Sequence, residues 1–323
     1  MAGTPVHNLQ RSVLRDSNSF SPFAIPPSPA MTKLGCGTGV NVYRFNRKSL
    51  THEGLEKSPW AVKKVTKKAR SNISERLALE ASILKDLKHP NIVGFRALTG
   101  NKDGELCLAM EDCHMSLMDL IDERAYLEEH FSYEQVFKVA WSIAKALEYL
   151  HVEKKILHGD LKSGNVLIRG DFEAVKLCDF GVALKLKDDL SGLADPKKRY
   201  TGSEPWKSKE VLNQDNGGRV CDKTDIFAYG LTIWEMLTLN VPHVDLLADT
   251  DTDCSMSGEE EDSEEYLAAL GTRPPLTREN FDPSFSTLID LFHVCTFEDP
   301  DKRPSSKAIV QILKPYAEKI LRE

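Results

Sequence analysis

Apolar positions follow two regimes along this chain. From Met31 to Met110 they come in short β-prone runs. These are Val40, Val42 and Tyr43 after a cluster of glycines, Trp60-Ala61-Val62-Lys63-Lys64-Val65, Ile92-Val93, and Leu106-Cys107-Leu108-Ala109-Met110. Runs of this kind predict strands. One helix interrupts them, with Ile73, Leu77, Leu84 and Leu87 near helical spacing. Further on the helical period dominates. Ser132-x-x-Gln135 has the form of a capping box ahead of Val136, Ala140, Ile143, Leu147 and Leu150, and Leu231 through Leu237 reads as another helix. A small β-rich lobe therefore precedes a larger α-rich lobe, which makes the expected fold α+β and bilobal.

Two segments stand outside this pattern. Residues 1–30 are rich in Ser, Pro and Asn, lack an apolar period, and read as a disordered regulatory tail. Within them Thr4-Pro5, Ser21-Pro22 and Ser28-Pro29 have the form that proline-directed kinases modify. From Asp245 to Glu265 there are ten acidic side chains and no basic one. Like charges at that density repel and cannot build a core, so the segment reads as a solvated insertion. The expected organisation is a tail over 1–30, one domain over 31–317 with its acidic insertion at 245–265, and a C-terminal tail over 318–323.

Composition narrows the picture only slightly. With 41% hydrophobic and 28% charged residues, the chain can bury a sizeable core. The net charge of −7 comes from the acidic segment, and the remainder is slightly positive. No broad basic face of the kind duplex nucleic acid requires is expected. No apolar run approaches the length of a membrane span, and the first twenty residues hold no apolar stretch of the secretory kind. The seven cysteines include no C-x-x-C pair. That count suits a reducing compartment, so the cytoplasm, the nucleus or both are expected.

The candidate chemistry lies in three places. Gly35-Cys36-Gly37-Thr38-Gly39-Val40-Asn41-Val42, preceded by Leu34, is a glycine-rich turn between strand-like runs. Without Cβ atoms its backbone N–H groups can approach phosphates closely. It departs from G-x-G-x-x-G-x-V, because Gly39 comes one position early and Val40 stands where the third glycine would. Next, Lys63 in Ala61-Val62-Lys63 can face the α- and β-phosphates, and Glu80 on the inner face of the Leu77/Leu84 helix is its natural ion partner. Finally, His158-Gly159-Asp160-Leu161-Lys162-Ser163-Gly164-Asn165 and Cys178-Asp179-Phe180-Gly181 supply a base (Asp160), a phosphate-facing cation (Lys162) and two metal ligands (Asn165 and Asp179). Cys36 and Cys178 are both expected to border the nucleotide.

Together these motifs resemble the eukaryotic protein kinases over about residues 31–317. The resemblance implies ATP and Mg2+ as cofactors and protein hydroxyls as acceptors. It also implies that Met110 precedes a hinge Glu111-Asp112-Cys113 that meets the adenine. Further expectations are a pair between Glu210 of Ser208-Lys209-Glu210 and Arg303, a brace from Asp225 to the catalytic loop, and a hydrophobic spine through Leu84, Phe95, His158 and Phe180. Lys162 after Asp160-Leu161 is similar to serine/threonine kinases more than to tyrosine kinases. A narrower resemblance, to a branch similar to MAP kinase kinases, is carried by five runs. They are Thr38-Gly39-Val40-Asn41-Val42-Tyr43, Ser58-Pro59-Trp60-Ala61-Val62-Lys63-Lys64, Leu157-His158-Gly159-Asp160, Glu204-Pro205-Trp206-Lys207 and Ala268-Ala269-Leu270-Gly271-Thr272-Arg273-Pro274-Pro275.

That narrower resemblance implies a serine/threonine or dual-specificity kinase of mitotic or proliferative signalling, MAP kinase-type or histone-type substrates, and an upstream proline-directed kinase acting at Thr4. The branch also carries a PDZ ligand with an apolar last residue. Arg322-Glu323 does not provide one, so PDZ binding is not expected. Gly159 replaces the arginine that in many kinases grips a phosphorylated activation segment. Ser191, Tyr200 and Thr201 are the hydroxyls available for such a switch. The rival readings are a pseudokinase scaffold, a small-molecule kinase, and an acidic histone- or chromatin-binding protein judged from Asp245 to Glu265.

Overall fold

The structure, a computed structural model, describes residues 31–37, 39–47, 57–66, 71–100, 106–247 and 264–321. The chain divides between Cys113 and His114 into two compact units.

The first unit holds β1 (Thr32–Gly37), β2 (Val40–Arg47), β3 (Lys57–Val65), α1 (Ser71–Asp86), β4 (Phe95–Gly100) and β5 (Leu106–Glu111). The five strands form one antiparallel sheet in the order β1-β2-β3-β5-β4. β3 is central, with Lys63 opposite Val42 on one side and Leu108 on the other. The period of two sends Trp60 and Val62 to one face, where they pack with Ala97, Cys107 and Ala109. Lys63 and Ala61 take the opposite face. α1 buries Leu77, Glu80, Ala81 and Leu84.

Ile92-Val93 is not a strand. Both side chains are buried, but the strand begins at Phe95, after the Gly94 carbonyl has accepted from the Glu111 N–H at 2.8 Å. An apolar pair fills a core equally well from a loop, and periodicity cannot distinguish the two cases.

The second unit holds β6 (Met115–Ser116), α2 (Leu117–Leu127), α3 (Tyr133–Glu148), β7 (Ile156–Leu157), β8 (Val166–Arg169), β9 (Ala174–Leu177), β10 (Leu184–Lys185), α4 (Lys209–Leu212), α5 (Asp222–Thr238), α6 (Glu264–Ala269), α7 (Ser286–Cys295) and α8 (Ser306–Ile320). The capping box of α3 forms as its sequence requires, with Gln135 N–H donating to Ser132 Oγ at 3.3 Å and Ser132 N–H to Gln135 Oε1 at 3.1 Å. α5 is apolar nearly all round and buried along almost its whole length, as an interior helix must be. Its Tyr229 hydroxyl donates to the Ala140 carbonyl of α3 at 3.0 Å. Asp225 and Glu235 are buried carboxylates on α5, and both bond to the loop after β7.

Two expected boundaries move. α8 runs past 317 to Ile320, because Ala317 is buried and its carbonyl accepts from the Leu321 N–H, so 318–320 are helix rather than tail. The acidic run is flanked by a 3-10 turn at Val244–Leu247 and by α6, so its ends are regular structure. Residues 1–30 with Thr4, the central part of the acidic run, and Arg322-Glu323 lie outside the described residues. Among the described residues, no helix is long and apolar enough to cross a membrane.

Candidate active site

In the first unit, Lys63 on β3 donates to Glu80 on α1 at 2.9 Å, and Glu80 is 1% exposed. A carboxylate buried this deeply needs a cation, and the central strand supplies it. The expected phosphate turn lies between β1 and β2, where Gly39 takes a left-handed φ of 78° that suits glycine. Gly35 sits on β1, Leu34 beside it is exposed, and Val40 and Val42 are half-buried on β2. The Cys36 side chain and Thr38 lie outside the described residues, while the backbone of Cys36 and Gly37 completes β1. Ala61, Met110 and Cys113 are buried, and Glu111 ends β5. The sequence reading missed an ion pair in this unit, from Arg44 on β2 to Asp112 at 3.0 Å.

In the second unit, the loop after β7 brings the expected polar residues together. Asn165 Nδ2 donates to the Asp160 carbonyl at 2.6 Å and to Asp160 Oδ2 at 3.0 Å. Lys162 Nζ stands 3.6 Å from Asp160 Oδ2. Asp179 takes φ 63°, an uncommon conformation for a non-glycine residue and one typical of functional sites. Cys178 is half-buried, and its carbonyl lies 3.0 Å from His158 Nε2. Leu84, His158 and Phe180 are each fully buried and Phe95 is half-buried, with the His158 and Phe180 rings edge-on at 4.9 Å.

Ser203 was also missed. Its N–H donates to Asp160 Oδ1 at 2.7 Å, and its hydroxyl accepts from Lys162 Nζ at 2.5 Å. A hydroxyl residue just ahead of Glu204-Pro205-Trp206 was the only signal available for it.

Asp225 braces this loop as expected. It accepts from the N–H groups of His158 at 2.8 Å and Gly159 at 3.0 Å, and lies 2.8 Å from His151 Nε2. Burial alone would raise its pKa, but the His151 hydrogen bond, the charges of His151 and His158 and the Gly159 bond together hold it below the usual carboxylate value. Glu210 and Arg303 also meet, at 2.7 and 3.0 Å through two parallel bonds.

Glu235 completes the support and was not singled out from sequence. It accepts from Ser163 Oγ at 2.5 Å, Ser163 N–H at 3.3 Å and Trp206 Nε1 at 2.8 Å. It thus ties the loop carrying Lys162 and Asn165 to the segment carrying Ser203. Full burial pushes its pKa up to about 7, against the opposing pull of the Ser163 and Trp206 bonds and the Lys162 charge. The folded chain therefore keeps a proton that the unfolded chain has lost, and stability falls as pH rises from about 4.5 to about 7. Thermal unfolding at pH 5 and pH 8 is expected to show Glu235→Gln losing roughly 2–3 kcal/mol less than wild type over that interval. Equal losses in the two proteins would remove Glu235 as the titrating group.

Comparison with known proteins gives the same direction. The protein kinase domain family matches residues 30–315. The human lymphokine-activated killer T-cell-originated protein kinase is 51% identical over 297 residues, which cover 90% of each chain. A probable serine/threonine-protein kinase of Dictyostelium discoideum is 30% identical over 285 residues, 87% of this chain and 24% of that protein. The mouse mitogen-activated protein kinase kinase kinase 13 is 32% identical over 189 residues, 58% of this chain and 17% of that protein.

Proposed function

The chain belongs to the protein kinase family, and on that premise we propose that it transfers the ATP γ-phosphoryl group to serine or threonine hydroxyls of protein substrates. We place this activity in a MAP-kinase-kinase-like step of mitotic or proliferative signalling, in the cytoplasm, the nucleus or both. The observation that carries the reading is the Asp160–Lys162–Ser203 arrangement, in which one backbone segment sits directly on the proposed base and its neighbouring cation.

Phosphoryl transfer needs mainly positioning and charge stabilisation. Asp160 orients the acceptor hydroxyl and takes its proton. Lys162 neutralises charge on the transferring phosphoryl. Lys63, held by Glu80, positions the α- and β-phosphates, and the main chain around Met110, Glu111 and Cys113 receives the adenine. The residues fit magnesium. Asn165 turns its amide nitrogen onto Asp160, which leaves Oδ1 for a hard cation, and the Asp179 carboxylate adds a second oxygen donor. A magnesium ion held there would offset the negative charge of the phosphates.

The mitotic assignment rests on the 51% identity to the human T-cell-originated kinase and on the resemblance to its branch. By the same resemblance, the upstream control is a proline-directed kinase acting at Thr4. A pseudokinase scaffold is disfavoured because Lys63, Glu80, Asp160, Asn165 and Asp179 are all present. Lys162 after Asp160-Leu161 is similar to serine/threonine kinases more than to tyrosine kinases, which favours serine and threonine acceptors.

Radiolabelled ATP with a panel of serine, threonine and tyrosine acceptor proteins tests the reading. Transfer to serine or threonine is expected, and no transfer to any acceptor would overturn it. Glu80→Gln is expected to lower kcat/KM for ATP roughly 10- to 100-fold, the worth of a hydrogen bond to a charged group. An unchanged value would remove the Lys63–Glu80 pair from nucleotide positioning.

A further inference from the structure

We propose that Tyr200 is a positioning residue for phosphoryl transfer, an apolar anchor that holds Ser203 on Asp160 and Lys162 without a phosphate. The proposal rests on the kinase reading and concerns how the activation segment is held.

Tyr200 is 4% exposed and packs with Leu157, Leu186, Val211 and Val220. Those four residues come from different places. Leu157 lies on β7, two residues before Gly159. Leu186 follows β10. Val211 is on α4, and Val220 leads into α5. The ring therefore sits where the catalytic loop, the start of the activation segment and the segment's far end converge. Its backbone is pinned as well: Tyr200 N–H donates to Gln214 Oε1 at 3.1 Å, and Gln214 Nε2 donates to the Tyr200 carbonyl at 3.2 Å.

Only Thr201 and Gly202 separate this anchor from Ser203, and that stretch has no slack. A Cβ added to Gly202 would come 2.3 Å from the Gly159 carbonyl and 2.7 Å from the Tyr200 ring. Glycine backbone of the activation segment is thus pressed onto glycine backbone of the catalytic loop. Gly159 takes φ 80°, a conformation strained for any residue with a side chain. The close approach passes a displacement of Tyr200 on to Ser203, and from there to Asp160 and Lys162. Where an arginine and a phosphate order this segment in other kinases, apolar burial and two glycines do so here.

Tyr200 is accordingly no phosphate acceptor in the folded chain, which corrects its place among the three candidate hydroxyls. Its ring is buried, and burial followed by the charges of Asp225, Asp160 and Glu210 holds its hydroxyl pKa well above the usual tyrosine value. A phosphate there would add to the negative charge of those three carboxylates, and Gly159 supplies no arginine to offset it. Ser191 and Thr201 are exposed.

The test uses the full chain produced in bacteria and treated with phosphatase. Wild type is expected to keep at least half its activity. Tyr200→Ala is expected to lower kcat about 30- to 100-fold, the scale of a misplacement of about 1 Å in a reacting constellation, with KM for ATP within about twofold. Tyr200→Phe keeps the ring, and its kcat is expected to stay within about threefold of wild type. Leu186→Ala trims the socket without touching Tyr200 and is expected to cost kcat about fivefold, so the outcome does not hang on the folding of one variant. Loss of wild-type activity on phosphatase treatment, or Tyr200→Phe as impaired as Tyr200→Ala, would overturn the anchor. So would an unchanged kcat in Leu186→Ala, or in Tyr200→Ala that still binds an ATP analogue. A wild type inactive before treatment would instead count against the kinase reading itself.

Discussion

Asparagine at position 160 is expected to lower kcat by about three orders of magnitude while an ATP analogue still binds, because general base assistance is worth about 10²–10⁴-fold. Both carboxylate oxygens of Asp160 already accept hydrogen bonds, Oδ1 from Ser203 N–H and Oδ2 from Asn165 Nδ2. An amide keeps one acceptor and turns an NH2 toward the other donor, so Asp160→Asn removes the base and also loosens either Ser203 or Asn165. The site is partly open, so the stability cost is small, about 1 kcal/mol for one lost bond. Steady-state radiolabel transfer beside thermal unfolding separates the two effects. Activity within tenfold of wild type in a well-folded Asp160→Asn would exclude Asp160 as the base.

The largest stability effect is expected at Arg303. Its side chain is fully buried and uses its whole donor fork. Nε donates to the Phe297 carbonyl at 2.6 Å, one terminal nitrogen to Glu210 Oε1 and the Lys223 carbonyl, and the other to Glu210 Oε2 and the Glu298 carbonyl. Among the described residues, Arg303→Met leaves Glu210 buried with only the Thr224 hydroxyl on it, and the Phe297, Lys223 and Glu298 carbonyls lose this donor. Removing one member of a buried ion pair costs about 3–5 kcal/mol, which for a chain of this size is a drop in thermal midpoint of roughly 10 °C. A double variant with Glu210→Met as well is expected to regain part of the loss, since no buried charge is then stranded. A single variant that melts with wild type would show that the pair carries no net stability.

These two residues also show the difference between local and long-range information. Asp160, Lys162 and Asn165 lie within six residues, and a spacing that short dictates one loop and one set of side chains facing the same way. The strands, the interior helix α5 and the capped helix α3 follow in the same manner from periods of 2 and 3.6 and from end signals such as Ser132 and Gln135. Lys63 and Glu80 are 17 residues apart, yet the pairing was legible, because a carboxylate on the apolar face of a helix demands a cation. Arg303 and Glu210, 93 residues apart, came only through resemblance to a known family. Ile92-Val93 went the other way, since burial alone does not choose between strand and loop.

The sequence alone therefore determined the β-then-α order, the loop chemistry and the absence of an arginine before Asp160, since each depends on neighbours a few positions away. Only the tertiary structure decided that Ser203 closes on Asp160 across 43 residues and that Glu235 reaches Ser163 across 72. It also decided that Tyr200 turns inward rather than out to solvent. A serine, a glutamate on an apolar helix and a tyrosine in a polar loop each have several satisfactory fates in isolation. Which one is realised depends on what the rest of the chain brings within 3 Å, because a hydrogen bond or an apolar contact is decided by distance in space, and separation along the chain carries almost none of that information.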